Sequence, residues 1–224
     1  AIDESNRMPG ANTINFNIPG NGPHVINVSD VESDDRVFTI SDTSGPTVIN
    51  GYSQPGSAPN TNATVSNAVI KIHIKGPRTA NPSVRNYRSI DGFRVFSGGN
   101  AFRGLAFTHL RRSIWISGSN AHHNIVAGTF IGTDPAGQNW YPAITALEPW
   151  DEDGGAFGIW ITDSAHHNRI GGTVPADRSI ISGNANDGGG GTGEGTDYNQ
   201  FIGLLVGLSP DGTRRAQNGS DGLD

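Results

Sequence analysis

A single all-β domain, built as a solenoid of stacked parallel strands, is what this sequence predicts, and three observations carry that expectation. The first is an internal near-repeat. Residues 114–124 read I-W-I-S-G-S-N-A-H-H-N and residues 159–168 read I-W-I-T-D-S-A-H-H-N, offset by 45 residues at the start (114 to 159) and 44 at the end (122 to 166). A period of this size signals stacked structural units. The second is that short runs of alternating apolar and polar residues end repeatedly at Gly, Asn or Pro, the pattern of strands joined by tight corners. The third is composition. Only 34% of the 224 residues are hydrophobic and 32 are Gly, yet the charged fraction is just 16%, which fits a thin, elongated core better than a disordered chain.

Taken in order, the pattern predicts short strands over 13–18, 25–28, 37–40 and 47–49, the first stopping at Pro19-Gly20 and the last at Asn50-Gly51. A loop rich in Ser, Pro, Asn and Thr follows over 52–67, and then the longest clean alternation in the chain, over 68–74. No helix is signalled. From Ser89 the text becomes repetitive. Ile90-Asp91-Gly92-Phe93-Arg94-Val95-Phe96 leads into Ser97-Gly98-Gly99-Asn100-Ala101, which Ser117-Gly118-Ser119-Asn120-Ala121 echoes 20 residues on, and Ile131-Gly132-Thr133-Asp134-Pro135-Ala136-Gly137 is echoed by Val206-Gly207-Leu208-Ser209-Pro210-Asp211-Gly212. Gly and Asn recur because they tolerate the positive φ that corners require. Residues 1–88 therefore read as an irregular, β-rich lead-in and 89–224 as regular coils. Loops interrupt the coils at 134–158, which carries Trp140 and Trp150, and at the Gly-rich 187–197.

The segments Gly158-Ile159-Trp160-Ile161, Asn124-Ile125-Val126-Ala127-Gly128-Thr129, Ile131-Gly132-Thr133-Asp134 and Ser179-Ile180-Ile181-Ser182-Gly183-Asn184 resemble the G-I-x-I, N-x-I-x-G-N, I-G-T-D-x-x-G and N-V-I-S-G-N segments of bacterial right-handed parallel β-helix repeat proteins. The likeness covers most of the chain. It implies a right-handed parallel β-helix and a secreted or cell-surface location, but no particular reaction, because fold does not fix function. Pectate lyases and polygalacturonases share that fold, which makes a carbohydrate-active enzyme (a polysaccharide lyase or glycoside hydrolase) the alternative to a structural or adhesive role. The chain has no Gly-His-Gly or Arg-x-Lys of the polygalacturonase kind; Arg169 near Asp163 is the nearest match to a lyase base, and Asp151 or Asp153 to a hydrolytic carboxylate.

Several classes of function fall away. There are no cysteines, so neither a disulfide scaffold nor a thiolate metal site exists. Net charge is −6 without a basic stripe, which argues against a nucleic-acid partner. No run approaches the roughly 18 apolar residues of a membrane span. Ala1 suits the residue left by signal-peptide cleavage and equally an arbitrary start.

The candidate site residues fall into three groups. If Ile114 and Ile116 point inward, Trp115 points outward, and Trp160 likewise one coil on, about 4.8 Å along the axis. Such a ladder, with Trp140 and Trp150 nearby in sequence, offers a surface for a sugar chain or a neighbouring protein; the insertion folding back over it is the plainer alternative. His122, His123, His166 and His167 are expected to stack in two short columns at one corner, either as a simple hydrogen-bonded stack or as ligands for Zn²⁺ or Cu²⁺. Glu148, Asp151, Glu152 and Asp153, and separately Asp187, Glu194 and Asp197, read as solvated acidic loops, with Ca²⁺ binding the alternative reading. Asp134–Gly137 and Ser209–Gly212 read as type I turns. The C-terminal Asn218-Gly219-Ser220-Asp221-Gly222-Leu223-Asp224 resembles the approach to a further strand, so head-to-tail self-association into filaments is a further expectation.

Overall fold

The short β-branched and aromatic runs do form strands, and glycine- and asparagine-bearing corners separate them. The computed structural model describes residues 1–28, 38–76, 90–138 and 157–224. One helical turn, α1 (Ile2–Ser5), opens the chain, and no sequence signal marked it. The strands then follow in sets of three. The first set is β1 (Asn12–Asn15), β2 (His24–Asn27) and β3 (Phe38–Ile40); the second is β4 (Thr47–Asn50), β5 (Ile72–Lys75) and β6 (Phe93–Val95). Then come β7 (Ala101–Arg103), β8 (Leu105–Thr108) and β9 (Arg112–Ser117), followed by β10 (Ile125–Ala127), β11 (Phe130–Ile131) and β12 (Phe157–Thr162). The last are β13 (Arg169–Gly171), β14 (Ile180–Ile181) and β15 (Gly189–Thr192), with β16 (Gln200–Ile202) and β17 (Leu205–Val206) beginning another round.

Every third strand joins the same sheet. The first sheet runs β1-β4-β7-β10-β13-β16, the second β2-β5-β8-β11-β14-β17 and the third β3-β6-β9-β12-β15, with every named pairing parallel. This rotation through three parallel sheets is compatible with a β-helix-like solenoid. Strands β1–β5 belong to the same three sheets as the later ones, so the stretch read as an irregular lead-in is in register with the repeats. No helix among the described residues is long and apolar enough to cross a membrane.

Side chains that face the interior stack in columns. Phe38, Phe93, Ile114 and Ile159 occupy one column of the third sheet, and Ile40, Val95, Ile116 and Ile161 the next. Phe93 joins the sheets: its ring lies 5.2 Å from Phe38, 5.0 Å from Phe102 and 6.1 Å from Phe107. At the corner before the first sheet, Asn100, Asn124 and Asn168 are fully buried. Each is bonded to the next at 2.9 Å through Nδ2–H and Oδ1, and Asn199 continues the ladder at 3.0 Å. The ladder satisfies backbone groups that a buried corner would otherwise strand.

The structure departs from the sequence reading in three further places. The echo at 20 residues is not the spatial register, since Asn100 meets Asn124, not Asn120; Gly118 to Ala121 closes a turn of its own (Ala121 N–H to Gly118 O, 2.8 Å), which lengthens that corner. The stretch 187–197 is not all loop, because β15 lies within it, with Gly189, Gly190 and Gly191 opposite Ile159, Trp160 and Ile161. The run 68–74 is strand only from Ile72, because Val69 pairs antiparallel with Ala58 and turns outward to a covering segment.

Candidate functional site

The outer face of the third sheet brings Arg94, Trp115, Trp160 and Gly190 into one column of partnered positions. Both indoles are half-buried, so the ladder is in register and faces outward but is not a bare platform. Trp115 is braced from beneath. Asp91, fully buried, accepts from Arg112 Nε at 2.7 Å, Arg112 Nη2 at 2.9 Å and Arg94 Nε at 2.9 Å. Burial pulls the Arg112 proton affinity down and the Asp91 carboxylate opposes that pull. The guanidinium so fixed lies 3.7 Å from the Trp115 ring centroid, a cation–π contact, with Arg94 at 5.6 Å and the Phe96 ring edge-on at 5.8 Å. Phe157, the positional partner of Arg112, does the same for the next turn, stacking 4.2 Å from Trp160. The alternation of Ile-Trp-Ile gave away the indoles; nothing local in the sequence marked Asp91, Arg112 or Phe157 as their supports.

A polar chain runs off the indole. Trp115 Nε1–H donates to Thr162 Oγ1 at 2.9 Å, Thr162 Oγ1 donates to Asp163 Oδ2 at 2.9 Å, and Ser117 Oγ donates to the same oxygen at 2.5 Å. These hydroxyls, Ser117 first and Thr162 second, hold the Asp163 carboxyl below the usual carboxylate range. Arg169 is directed elsewhere: its Nη1 meets Asp177 Oδ2 at 3.0 Å and the Gly171 carbonyl, while Arg103 takes Asp177 Oδ1 at 2.7 Å. Burial pushes the Asp177 carboxyl up, but the two guanidinium groups outweigh it and hold the pKa below the ordinary value. Arg169 and Asp163 are thus committed to different partners, and the lyase-like pairing does not form.

The four histidines do stack. His122 lies over His166 at 5.3 Å and 18°, and His123 over His167 at 5.2 Å and 15°, with Tyr198 extending the second column 4.8 Å from His167. Within each turn the two Nδ1 atoms approach to 3.0 Å (His122 and His123) and 2.8 Å (His166 and His167). Tyr198 escaped the sequence reading, although Asp197-Tyr198-Asn199 occupies the place of His-His-Asn one turn on.

Trp140, Trp150, Glu148, Asp151, Glu152 and Asp153 lie outside the described residues. Among the described residues no group of three or more His, Asp or Glu is gathered to hold a metal ion. Asp187 accepts the Asp221 N–H at 2.9 Å instead. Asp134 and Ser209 behave as turn residues, their carbonyls each accepting the N–H of Gly137 and Gly212 at 2.8 Å. Fold and site together define an all-parallel, three-sheet β protein with an aromatic ladder on one face and an imidazole ladder at the adjoining corner. Comparison with protein-family profiles, with characterised proteins and with solved structures finds no match to this chain.

Proposed function

We propose that the chain is a right-handed parallel β-helix acting outside the cell as a structural or adhesive module, and that the Trp115–Trp160 face of its third sheet is the surface that contacts polysaccharide. The observation that carries this reading is the pair of indoles at partnered positions on adjacent strands, each held in one orientation by Arg112 or Phe157. Rigid, partly exposed rings lose little entropy on binding and offer apolar surface to the C–H faces of sugars. A secreted or surface location belongs to the same reading. Head-to-tail self-association into filaments belongs to the same reading.

Replacing both indoles tests it. The Trp115→Ala/Trp160→Ala variant, checked by circular dichroism to retain its strands, should bind a panel of neutral and acidic polysaccharides at least about 10-fold more weakly than the native chain in affinity electrophoresis, about 1.4 kcal/mol. Equal retardation of both proteins by every polysaccharide would remove this face from consideration.

A further inference from the structure

The imidazole ladder is independent of the indole face, and its geometry is that of a preformed ligand set. We infer that the His122–His123 and His166–His167 pairs are surface chelates for a divalent transition-metal ion of square-planar preference, Cu²⁺ or Ni²⁺.

The argument begins with the backbone. His123 and His167 both sit in the left-handed region, at φ 56° and 55°. Non-glycine residues hold that conformation only where their surroundings fix it, and here the buried Asn124 and Asn168 do so from the next position along the chain. The two corners are therefore the same shape, stacked one turn apart, and the core sets that shape without help from a bound ion.

The rings follow. Within each pair the imidazole planes are nearly perpendicular, at 87° and 84°, and both Nδ1 atoms face the same small gap. As it stands, one nitrogen donates a proton and the other accepts it. An ion in place of that proton, with metal–nitrogen bonds of about 2.0 Å, would see the Nδ1 atoms, 3.0 and 2.8 Å apart, at an angle of roughly 90–97°. That is the cis angle of a square plane, whereas a tetrahedral ion with the same bond length needs nitrogens about 3.3 Å apart. Cu²⁺ is also the divalent first-row ion that a nitrogen donor set binds most strongly.

The surroundings leave room. His123 and His167 are exposed and His122 and His166 partly so. From the preceding turn the Gly99 N–H donates to His122 O at 2.8 Å, and Gly98, where a Cβ would come within 3.0 Å of His122 Nδ1, keeps that side clear by having none, while Tyr198 covers the far side of the outer column. With no third His, Asp or Glu gathered at either pair, two positions on each ion stay open to water or to an external ligand. The two pairs are one strand spacing apart, which allows two ions to be held side by side along the axis.

The test is a titration of the full chain with Cu²⁺ at pH 7.4, followed by electron paramagnetic resonance. The expected result is a stoichiometry of two ions per chain, an axial spectrum showing two nitrogen donors while less than one ion per chain is bound, and dipolar broadening as the second site fills, with affinity falling at least about 30-fold in the His123→Gln/His167→Gln variant. A second variant, His122→Gln/His166→Gln, should lose binding equally, which guards against one variant failing to fold. Cu²⁺ binding unchanged in both variants would overturn the inference, as would a native-chain spectrum without coupled nitrogens.

Discussion

At the scale of single residues, His73 is the group whose proton most directly reports folding. It lies on the outer side of the second sheet and is 7% exposed, with Nε2 bonded to Thr108 Oγ1 at 2.7 Å. Burial lowers its pKa to about 4, against the opposing charge of Asp134 and with Lys75 and His109 adding to the fall. An unfolded histidine titrates near 6.5. Between those values the unfolded chain binds the proton and the folded chain does not, so stability is full above about pH 6.5 and declines as the pH drops toward 4. The loss across that window is on the order of 3 kcal/mol. Urea midpoints measured at pH 7 and pH 4.5 should show it, and His73→Gln should flatten the dependence. The Asp177 and Asp163 carboxyls are held below the ordinary carboxylate range, whereas His122, lowered by burial first and then by the neighbouring imidazoles, adds a fall of the same sign that His73→Gln leaves in place. A variant that loses stability in parallel with the native chain would exonerate His73.

At the scale of elements, the spacing between turns is set by a column of small residues. Gly92, Ser113, Gly158, Gly188 and Gly222 enter the third sheet at equivalent places, and a Cβ on Gly92, Gly158 or Gly188 would run into the carbonyl oxygen of Ser113, Gly188 or Gly222 respectively, one turn on. A Cβ on Gly158 would fall well inside van der Waals contact of the Gly188 carbonyl oxygen, and that backbone cannot yield. Gly158→Ala should therefore cost about 1–3 kcal/mol. Gly191→Ala, whose Cβ would meet the Ile161 carbonyl oxygen at 3.1 Å, well beyond the approach at Gly158, should cost less, and equal melting temperatures would refute the spacing argument. The apolar columns beside it were legible in the sequence, because Ile159-Trp160-Ile161 keeps period two and places Ile on one face, whereas the small-residue column itself shows only once the turns are stacked. The imidazole stacks were legible too, because two identical triplets one turn apart must coincide. Strand β15 was not legible, since its pairing comes from β12 and its missing inward bulk is supplied by Phe201 against Gly189, neither of which a local pattern can show. The supports of the indoles were hidden for the same reason: Asp91 and Arg112 meet across turns.

At the scale of the whole molecule, the decisive feature is residues 51–70, of which sequence alone presented 52–67 as a polar loop. A stack of turns is quasi-one-dimensional, each unit touching its neighbours, so distant turns are coupled only weakly. Here the segment runs along the second sheet and ties turns that are not neighbours. Tyr52 Oη donates to Gly128 O at 2.7 Å, Asn60 Nδ2 donates to Pro175 O at 2.9 Å, and Ser66 N–H donates to Pro210 O at 2.7 Å. Arg178 clamps it from the other side, donating to the carbonyls of Asn62, Ala63 and Val65 at 2.8–3.2 Å. Ile70, Ala106, Phe130 and Ile180 are buried beneath it, with Tyr52, Ala68 and Leu205 packed around them, so the second sheet is apolar on both faces. A strap of this kind makes the early and late turns lose their structure together. In the native chain, unfolding followed by tryptophan fluorescence (which reports residues 115–160) and by far-ultraviolet circular dichroism (which reports every strand) should give one coincident transition. Removing the strap's polar ties with Tyr52→Phe and Arg178→Ala leaves the strands' own pairing intact but cuts the bonds across turns. The two probes should then separate, with the circular dichroism transition broadening toward lower denaturant as the end turns melt ahead of the middle. If the double variant keeps a single coincident transition at the native midpoint, the covering segment is a passive skin, and the turns owe their cooperativity to the core columns alone.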